Sequence, residues 1–142
     1  MSATPVSTAV NYTALARFRL ELRAFLHFSE RAAHTAGIEP QQHQLLLALK
    51  GLPRPDALPT VGNVATWLHI QHHSAVELVD RCAARGLVRR EQDPHDRRRV
   101  LVLLTEAGEG LLDQVSKINQ LELQSHAPAL ITALQRVLEG AA

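Results

Sequence analysis

The first apolar pattern along the chain has helical spacing. From about Asn11, apolar residues recur at steps of three and four with charged residues mostly between them, and the pattern ends at Gly37. This predicts an amphipathic helix about 37 Å long, at 1.5 Å per residue. Such a helix is long for so short a chain, so we expect its apolar stripe to pack against a partner.

Shorter helical segments follow. Glu39 and Pro40 form a typical helix start, because proline is tolerated in the first turn and an acid favours the positive end of the helix dipole. The proline-rich stretch after this helix predicts a loop, and Thr60 behind it is a good N-cap. Helices are then predicted over about 61–68 and about 72–85, separated by a short turn.

The spacing changes from helical to alternating after Gly86, which is a typical helix end. Residues 87–90 and 100–104 predict two short strands. Residues 93–96 between them read Asp-Pro-His-Asp, which is the chemistry of a turn. The order of helix, turn, helix, strand, turn and strand is that of a winged helix-turn-helix.

The rest of the chain returns to helical spacing. Thr105 predicts the cap of a helix that runs to about His126, and Pro128 is expected to break it. A last helix is predicted over 129–139. The fold class is therefore mainly α, with about six helices and a small β-hairpin wing.

Composition narrows the class of protein. The 142 residues, 46% of them hydrophobic, are enough for one globular domain with a real core. A formal net charge of +1 does not by itself indicate nucleic acid, so the placement of the charges has to decide. A single cysteine excludes an internal disulfide framework, and neither a signal peptide nor a bilayer-spanning run is visible. We expect a cytoplasmic protein with no membrane partner.

The pattern also predicts a domain organisation. We expect a flexible tail over residues 1–10 and a single domain over 11–142. Its DNA-binding lobe would span about 40–105, and the long helices at about 11–37 and 106–140 would form a dimerisation region.

The second helix of a helix-turn-helix enters the major groove of DNA with its N-terminal residues nearest the bases. Glutamine there can bind adenine, and glutamate can accept a hydrogen bond from cytosine N4. The candidate DNA-binding residues of this helix are Gln71, His72, His73, Ser74, Glu77 and Arg81.

The predicted wing carries a run of positive charge. Between residues 60 and 105 seven arginines stand against five carboxylates, and Arg97, Arg98 and Arg99 are consecutive at the hairpin tip. An isolated charge run is more often a solvated turn. Its place behind a helix pair favours DNA contact for at least one of the three, because a wing tip can reach the minor groove.

Several motifs of this stretch, in order and spacing, resemble the MarR (multiple antibiotic resistance regulator) family. They are Ala65-x-x-Leu68, Val79-Asp80-Arg81, Gly86-Leu87-Val88-x-Arg90, Asp93-Pro94-x-Asp96-Arg97-Arg98 and Leu104-Thr105-x-x-Gly108. The resemblance implies a homodimeric transcriptional regulator, more often a repressor, on a palindromic operator. It implies release of the DNA when a small lipophilic or aromatic ligand binds. It also implies that Asp80 orients the wing through Arg97 or Arg98.

The chain departs from the family pattern in its recognition helix. Val76 and Glu77 stand where the family often has Thr-Arg, and His72 and His73 replace the more usual Pro-Ser. Glu77 can then either contact cytosine or pair with a neighbouring arginine, and no operator sequence can be inferred from the family.

Other residues have a structural and a functional interpretation. Cys82 lies where a core leucine is usual, so a buried thiol is favoured over a redox sensor. His27, His34 and His43 lack the spacing of a metal site, and no metal or other cofactor is predicted. The aromatic residues are more often core, but they are also the candidates for an apolar ligand pocket: Phe18, Phe25, Phe28 and Trp67.

Two other classes of function compete with a regulator. No nucleophile–base set, phosphate loop or metal motif is present, so we do not expect an enzyme. The second alternative is a winged-helix protein-interaction module without specific DNA binding, which Glu77 and the small net charge leave open.

Overall fold

The computed structural model describes residues 8–53 and 57–141, so most of the predicted N-terminal tail lies outside the described residues. Within them the chain forms five helices and one antiparallel hairpin, which confirms a mainly α winged helix-turn-helix. No described helix has the length and apolar character needed to cross a membrane. The elements are α1 Tyr12–Thr35, α2 Pro40–Gly51, α3 Val61–Leu68, α4 His72–Ala84, β1 Val88–Gln92, β2 Val100–Leu104 and α5 Glu106–Glu139.

Local signals set the ends of the helix-turn-helix as the sequence predicts. The Asn63 N–H donates to Thr60 Oγ1 at 3.1 Å, and Asn63 Oδ1 accepts from the Thr60 N–H at 2.9 Å, which closes a capping box at α3. His69 ends α3 in the left-handed region, with φ 53°. Gly86, with φ 71°, follows α4 in the same region, where a residue without Cβ is not strained.

The chain divides into two compact units, and each has its own packing. The first is a lobe of residues 33–116, which contains α2, α3, α4 and both strands. Its core includes Cys82, which is fully buried as predicted, and burial raises the pKa of this thiol to about 11. The largest fully buried side chains of the lobe are Leu45, Leu46, Val64, Leu78, Val79, Cys82, Val102 and Val115.

The hairpin is joined to the start of the helix-turn-helix. Val88 pairs with Leu104 at the root of the wing, and the strands continue antiparallel from there. The Val102 N–H donates to the carbonyl of Pro59 at 2.9 Å, so the residues before α3 extend the sheet by one bridge. This bond fixes the base of the wing to the segment that caps α3.

The second unit is helical and contains residues 8–32 and 117–141 of the described chain. Ala14 and Ala133 are buried, and Asn11 Nδ2 donates to the Gly140 carbonyl at 3.2 Å. Many large apolar side chains remain exposed. Those of α1 and α5 are Tyr12, Leu15, Leu20, Leu26, Ile118, Leu121, Ile131, Leu134 and Leu138.

The expected helix break at Pro128 is wrong, because α5 continues through it and five helices replace six. Proline removes one N–H from the helical ladder and costs about 3 kcal/mol in a helix interior. The turns beyond it are held by tertiary contacts of the helical unit. Ala133 is 2% exposed, and the bond from Asn11 to Gly140 holds the end of the helix.

Candidate nucleic-acid interface

The face of α4 that points away from the core carries two unpaired polar side chains. Successive residues of a helix are rotated by about 100°, so the buried Leu78 and Val79 define the inner face. His73 and Glu77 lie on the opposite face, and both are exposed. They are one turn apart near the start of α4, which is where a recognition helix approaches base edges.

One flank of α4 faces the wing. His72 and Val76 line a cleft of about 290 Å³ together with three arginines of the hairpin, Arg90, Arg98 and Arg99. The structure therefore places the predicted contacts His72, Arg98 and Arg99 around one concave surface.

The other flank of α4 faces α2. Arg81 Nε lies 3.6 Å from Glu39 Oε2, and an Arg85 guanidinium nitrogen donates to Gln42 Oε1 at 3.1 Å. Ser74 lies on the same flank by the rotation of the helix and is half-buried. Arg81 is thus engaged with α2, while the predicted contact Gln71 is the exposed N-cap residue of α4, with no side-chain cap bond.

Asp80 pairs with Arg90 of β1, so the expected choice of Arg97 or Arg98 as its partner was wrong. The reason is strand alternation. Arg90 shares a face of β1 with the buried Val88, which packs on the lobe, whereas Arg89 points the other way and pairs with Glu91 at 2.8 Å. A short turn joins α4 to β1, so Arg90 comes near α4. The alternation of β1 could have revealed Arg90 from the sequence.

The tip of the wing is held by its own acids. Asp93 Oδ1 accepts from the His95 N–H at 2.8 Å, and Asp96 Oδ1 accepts from the Arg98 N–H at 3.0 Å. The same carboxylates lie 3.8 Å from Arg99 Nε and 3.6 Å from Arg98 Nε. These bonds are the turn chemistry that the sequence predicts, and they place a carboxylate beside two of the three tip arginines.

Arg97 differs from its two neighbours. Its carbonyl accepts from Gln92 Nε2 at 2.9 Å, which fixes the backbone, while its exposed guanidinium has no acid partner among the described residues. Arg97 is the tip arginine whose charge is not compensated within the wing.

The carboxylates between residues 60 and 105, a stretch described in full, also divide into paired and unpaired side chains. Four of the five pair with an arginine: Asp80 with Arg90, Glu91 with Arg89, Asp93 with Arg99, and Asp96 with Arg98. The fifth, Glu77, makes no ion pair there. Sequence reasoning counted these charges but did not predict their pairing. Two of the four pairs, Asp80 with Arg90 and Asp93 with Arg99, depend on the position of α4 and on the register of the hairpin.

The candidate pocket residues are divided between the units. Phe18, Phe25 and Phe28 are half-buried on α1 of the helical unit, and Trp67 packs on the core of the lobe. A cleft of about 600 Å³ in the helical unit is lined by other residues, among them Ala14 and Pro128. Among the described residues no three histidine, cysteine or carboxylate side chains are grouped as metal ligands would be.

The fold and this surface define a winged helix-turn-helix protein. Residues 36–99 match the model of the MarR family. A MarR family protein from Bacillus stearothermophilus is 26% identical, with a TM-score of 0.66 over 82% of this chain and 81% of that one. The match over residues 36–99 and the shared fold confirm the resemblance of this chain to the MarR family.

Other solved structures share the fold. AbsC, a MarR family transcriptional regulator from Streptomyces coelicolor, is 21% identical, with a TM-score of 0.68 over 84% of this chain and 82% of that one. MepR from Staphylococcus aureus in complex with DNA is 20% identical, with a TM-score of 0.65 over 81% of this chain and 80% of that one. No curated protein matches the sequence.

Proposed function

We propose that the chain is a transcriptional regulator that binds double-stranded DNA through α4 and the wing. The observation that carries this is the outer face of α4, where His73 and Glu77 have no partner within the lobe, beside a wing whose tip presents Arg97. The family match and the DNA complex of MepR support the proposal. The proposed contacts are Gln71, His72, His73, Ser74, Glu77, Arg81, Arg97, Arg98 and Arg99.

The proposed active form is a homodimer on a palindromic operator. The apolar side chains exposed on α1 and α5, such as Leu20 at 55% and Leu121 at 69%, would be covered by a second copy. A two-fold dimer presents two copies of α4, so we expect half-sites about one DNA turn apart.

We propose further that the protein is a repressor and that a small lipophilic or aromatic molecule releases it from DNA. A ligand that favours a different separation of the two α4 helices would remove the two-site fit. The neighbour MepR regulates a multidrug efflux pump, which fits control by small molecules. The candidate pocket residues remain Phe18, Phe25, Phe28 and Trp67.

The second candidate function is a protein-interaction module that keeps the fold without specific DNA binding. The ion pairs of the wing favour it, because Arg90, Arg98 and Arg99 each lie beside a carboxylate. A surface with so little uncompensated positive charge gains less from counterion release than a basic one.

The experiment that separates the two is selection from a pool of random duplexes at two salt concentrations, followed by titration of the enriched sequence. We expect an inverted repeat whose affinity falls as salt rises, since phosphate contacts release counterions. Weak and unselective binding at both salts would instead support the interaction module.

One variant tests the wing within the same experiment. Arg97→Ala should weaken binding and reduce the salt slope by about one, because it removes one phosphate-facing charge. Lys50→Ala, which instead removes an exposed cation of α2 that pairs with Glu109, is the control and should leave both quantities unchanged.

A further inference from the structure

We propose that Glu77 sets the base preference of the DNA site by requiring a cytosine in each half-site. This inference rests on the proposed function, because it concerns what the outer face of α4 binds. Its starting point is that Glu77 is exposed and is the one carboxylate between residues 60 and 105 without an arginine partner.

The two explanations that the sequence leaves open for Glu77 are a base contact and an ion pair with a neighbouring arginine. The nearest candidate on α4, Arg81, lies one turn further along and is engaged with Glu39 at 3.6 Å. Arg90, which belongs to the adjacent strand, pairs with Asp80. Both neighbouring arginines therefore already have a carboxylate partner. The Glu77 carboxylate is free for the partner that covers α4.

The chemistry of the major groove then selects the base. A carboxylate only accepts hydrogen bonds, so it needs a donor. Cytosine offers its N4 amino group, while guanine and thymine offer acceptors at O6, N7 and O4. Adenine has a donor at N6 but also an acceptor at N7 beside it, which repels a carboxylate. Cytosine is the base that satisfies Glu77 without repulsion.

The same carboxylate penalises other sequences. Where no amino group faces it, Glu77 loses its water and remains unpaired among phosphates, which disfavours binding. Glu77 therefore acts mainly by rejecting sites without the cytosine.

The test is selection from random duplexes with four proteins: the parent, Glu77→Ala, Glu77→Gln and Glu91→Gln. Glu91 is exposed and ion-paired on the wing, so its variant controls for the loss of one negative charge from the lobe. Glutamine and alanine are good helix formers, so the Glu77 variants should fold. Thermal unfolding of each protein checks this before selection.

We expect the parent and Glu91→Gln to select a C·G pair at one position of each half-site. Glu77→Ala should accept any base there, and Glu77→Gln should prefer adenine, which glutamine binds through N6 and N7. Replacing that C·G pair by T·A should weaken the parent roughly tenfold per half-site and leave Glu77→Ala almost unchanged.

Each other result is decisive. If the parent selects a clear inverted repeat and both Glu77 variants select the same one, this inference is overturned and the proposed function stands. Loss of all DNA binding in both variants also overturns it, because relaxed preference is expected. If no protein enriches any sequence, the proposed function and this inference fail together.

Discussion

The lobe and the helical unit differ in how far their large apolar side chains are buried. In the lobe, large side chains such as Leu45, Leu78 and Val102 are at most 1% exposed and form one contiguous core. In the helical unit the buried apolar residues are alanines, and leucines such as Leu20 and Leu121 are more than half exposed. Each fully buried large apolar side chain contributes about 1.5–3 kcal/mol, so burial stabilises the lobe more than it stabilises the described part of the helical unit.

The difference fits the separate roles that we propose for the two units. A unit with a complete core can hold α4 and the wing in fixed geometry, as a DNA-contacting surface requires. A unit whose apolar side chains face outward is suited to association, because a second copy can complete its core. Substitutions should therefore act on folding in the lobe and on assembly in the helical unit.

The largest effect is expected from Leu78→Ala in the lobe. It leaves a cavity in a close-packed core and should lower the free energy of unfolding by about 3 kcal/mol, measured by urea denaturation. Leu47→Ala is the matched control, because Leu47 lies in the same unit but is 49% exposed, and it should cost under about 1 kcal/mol. Equal losses would mean that the lobe is not held by this core.

The next effect concerns two glycines in the first turns of α5. A Cβ added at Gly108 would lie 2.0 Å from the carbonyl oxygen of Leu87, so Gly108→Ala must displace backbone and should cost about 2 kcal/mol or more. Gly110 has no neighbour within 4 Å of the same atom, and Gly110→Ala should stabilise the protein by roughly 0.5–1 kcal/mol. Thermal unfolding of both variants checks this, and a stable Gly108→Ala would contradict the close approach.

The sequence predicts the lobe better than the helical unit, and the reason is physical. The Thr60 cap, the Gly86 turn and the hairpin depend on residues near one another in the chain, so local rules suffice. Pro128 shows the limit, because tertiary contacts outweigh a local preference to break the helix. Glu77 shows a second limit of prediction from the sequence. Its carboxylate can be identified as unpaired only when the ion pairs around it are known.

A smaller effect is expected in the helical unit, and it should appear in assembly. Leu121→Glu places a charge on the surface that we propose a second copy covers, so the dimer dissociation constant should rise about tenfold or more. Analytical ultracentrifugation over a concentration series measures this. Leu47→Glu adds the same charge to an exposed leucine of the lobe and should leave the dissociation constant unchanged. A parent that is monomeric at every concentration would remove the basis of the comparison.

The smallest expected effect is on the pH dependence of stability, and it rests on one residue in each unit. Each unit holds one buried side-chain atom without a hydrogen-bond partner among the described residues: His43 Nε2 in the lobe and Asn119 Oδ1 in the helical unit. Only the histidine can titrate. Burial lowers the pKa of His43 below its usual value of 6.5, because desolvation disfavours the charged ring.

The sign of the expected effect follows from linkage. Between the lowered pKa of His43 and 6.5 the unfolded chain binds more protons than the folded one. The contribution of His43 to the free energy of unfolding is therefore fully present above pH 6.5 and is lost as pH falls through this window. His43→Leu removes the titrating group, so it should lose less free energy of unfolding between pH 7.5 and 5.5 than the parent. Gln44→Leu, an exposed neighbour on α2, should keep the dependence of the parent. If His43→Leu and the parent lose the same free energy of unfolding, the acid sensitivity arises elsewhere. The buried ring of His43 would then affect the pH dependence of stability no more than the buried amide of Asn119, which cannot titrate.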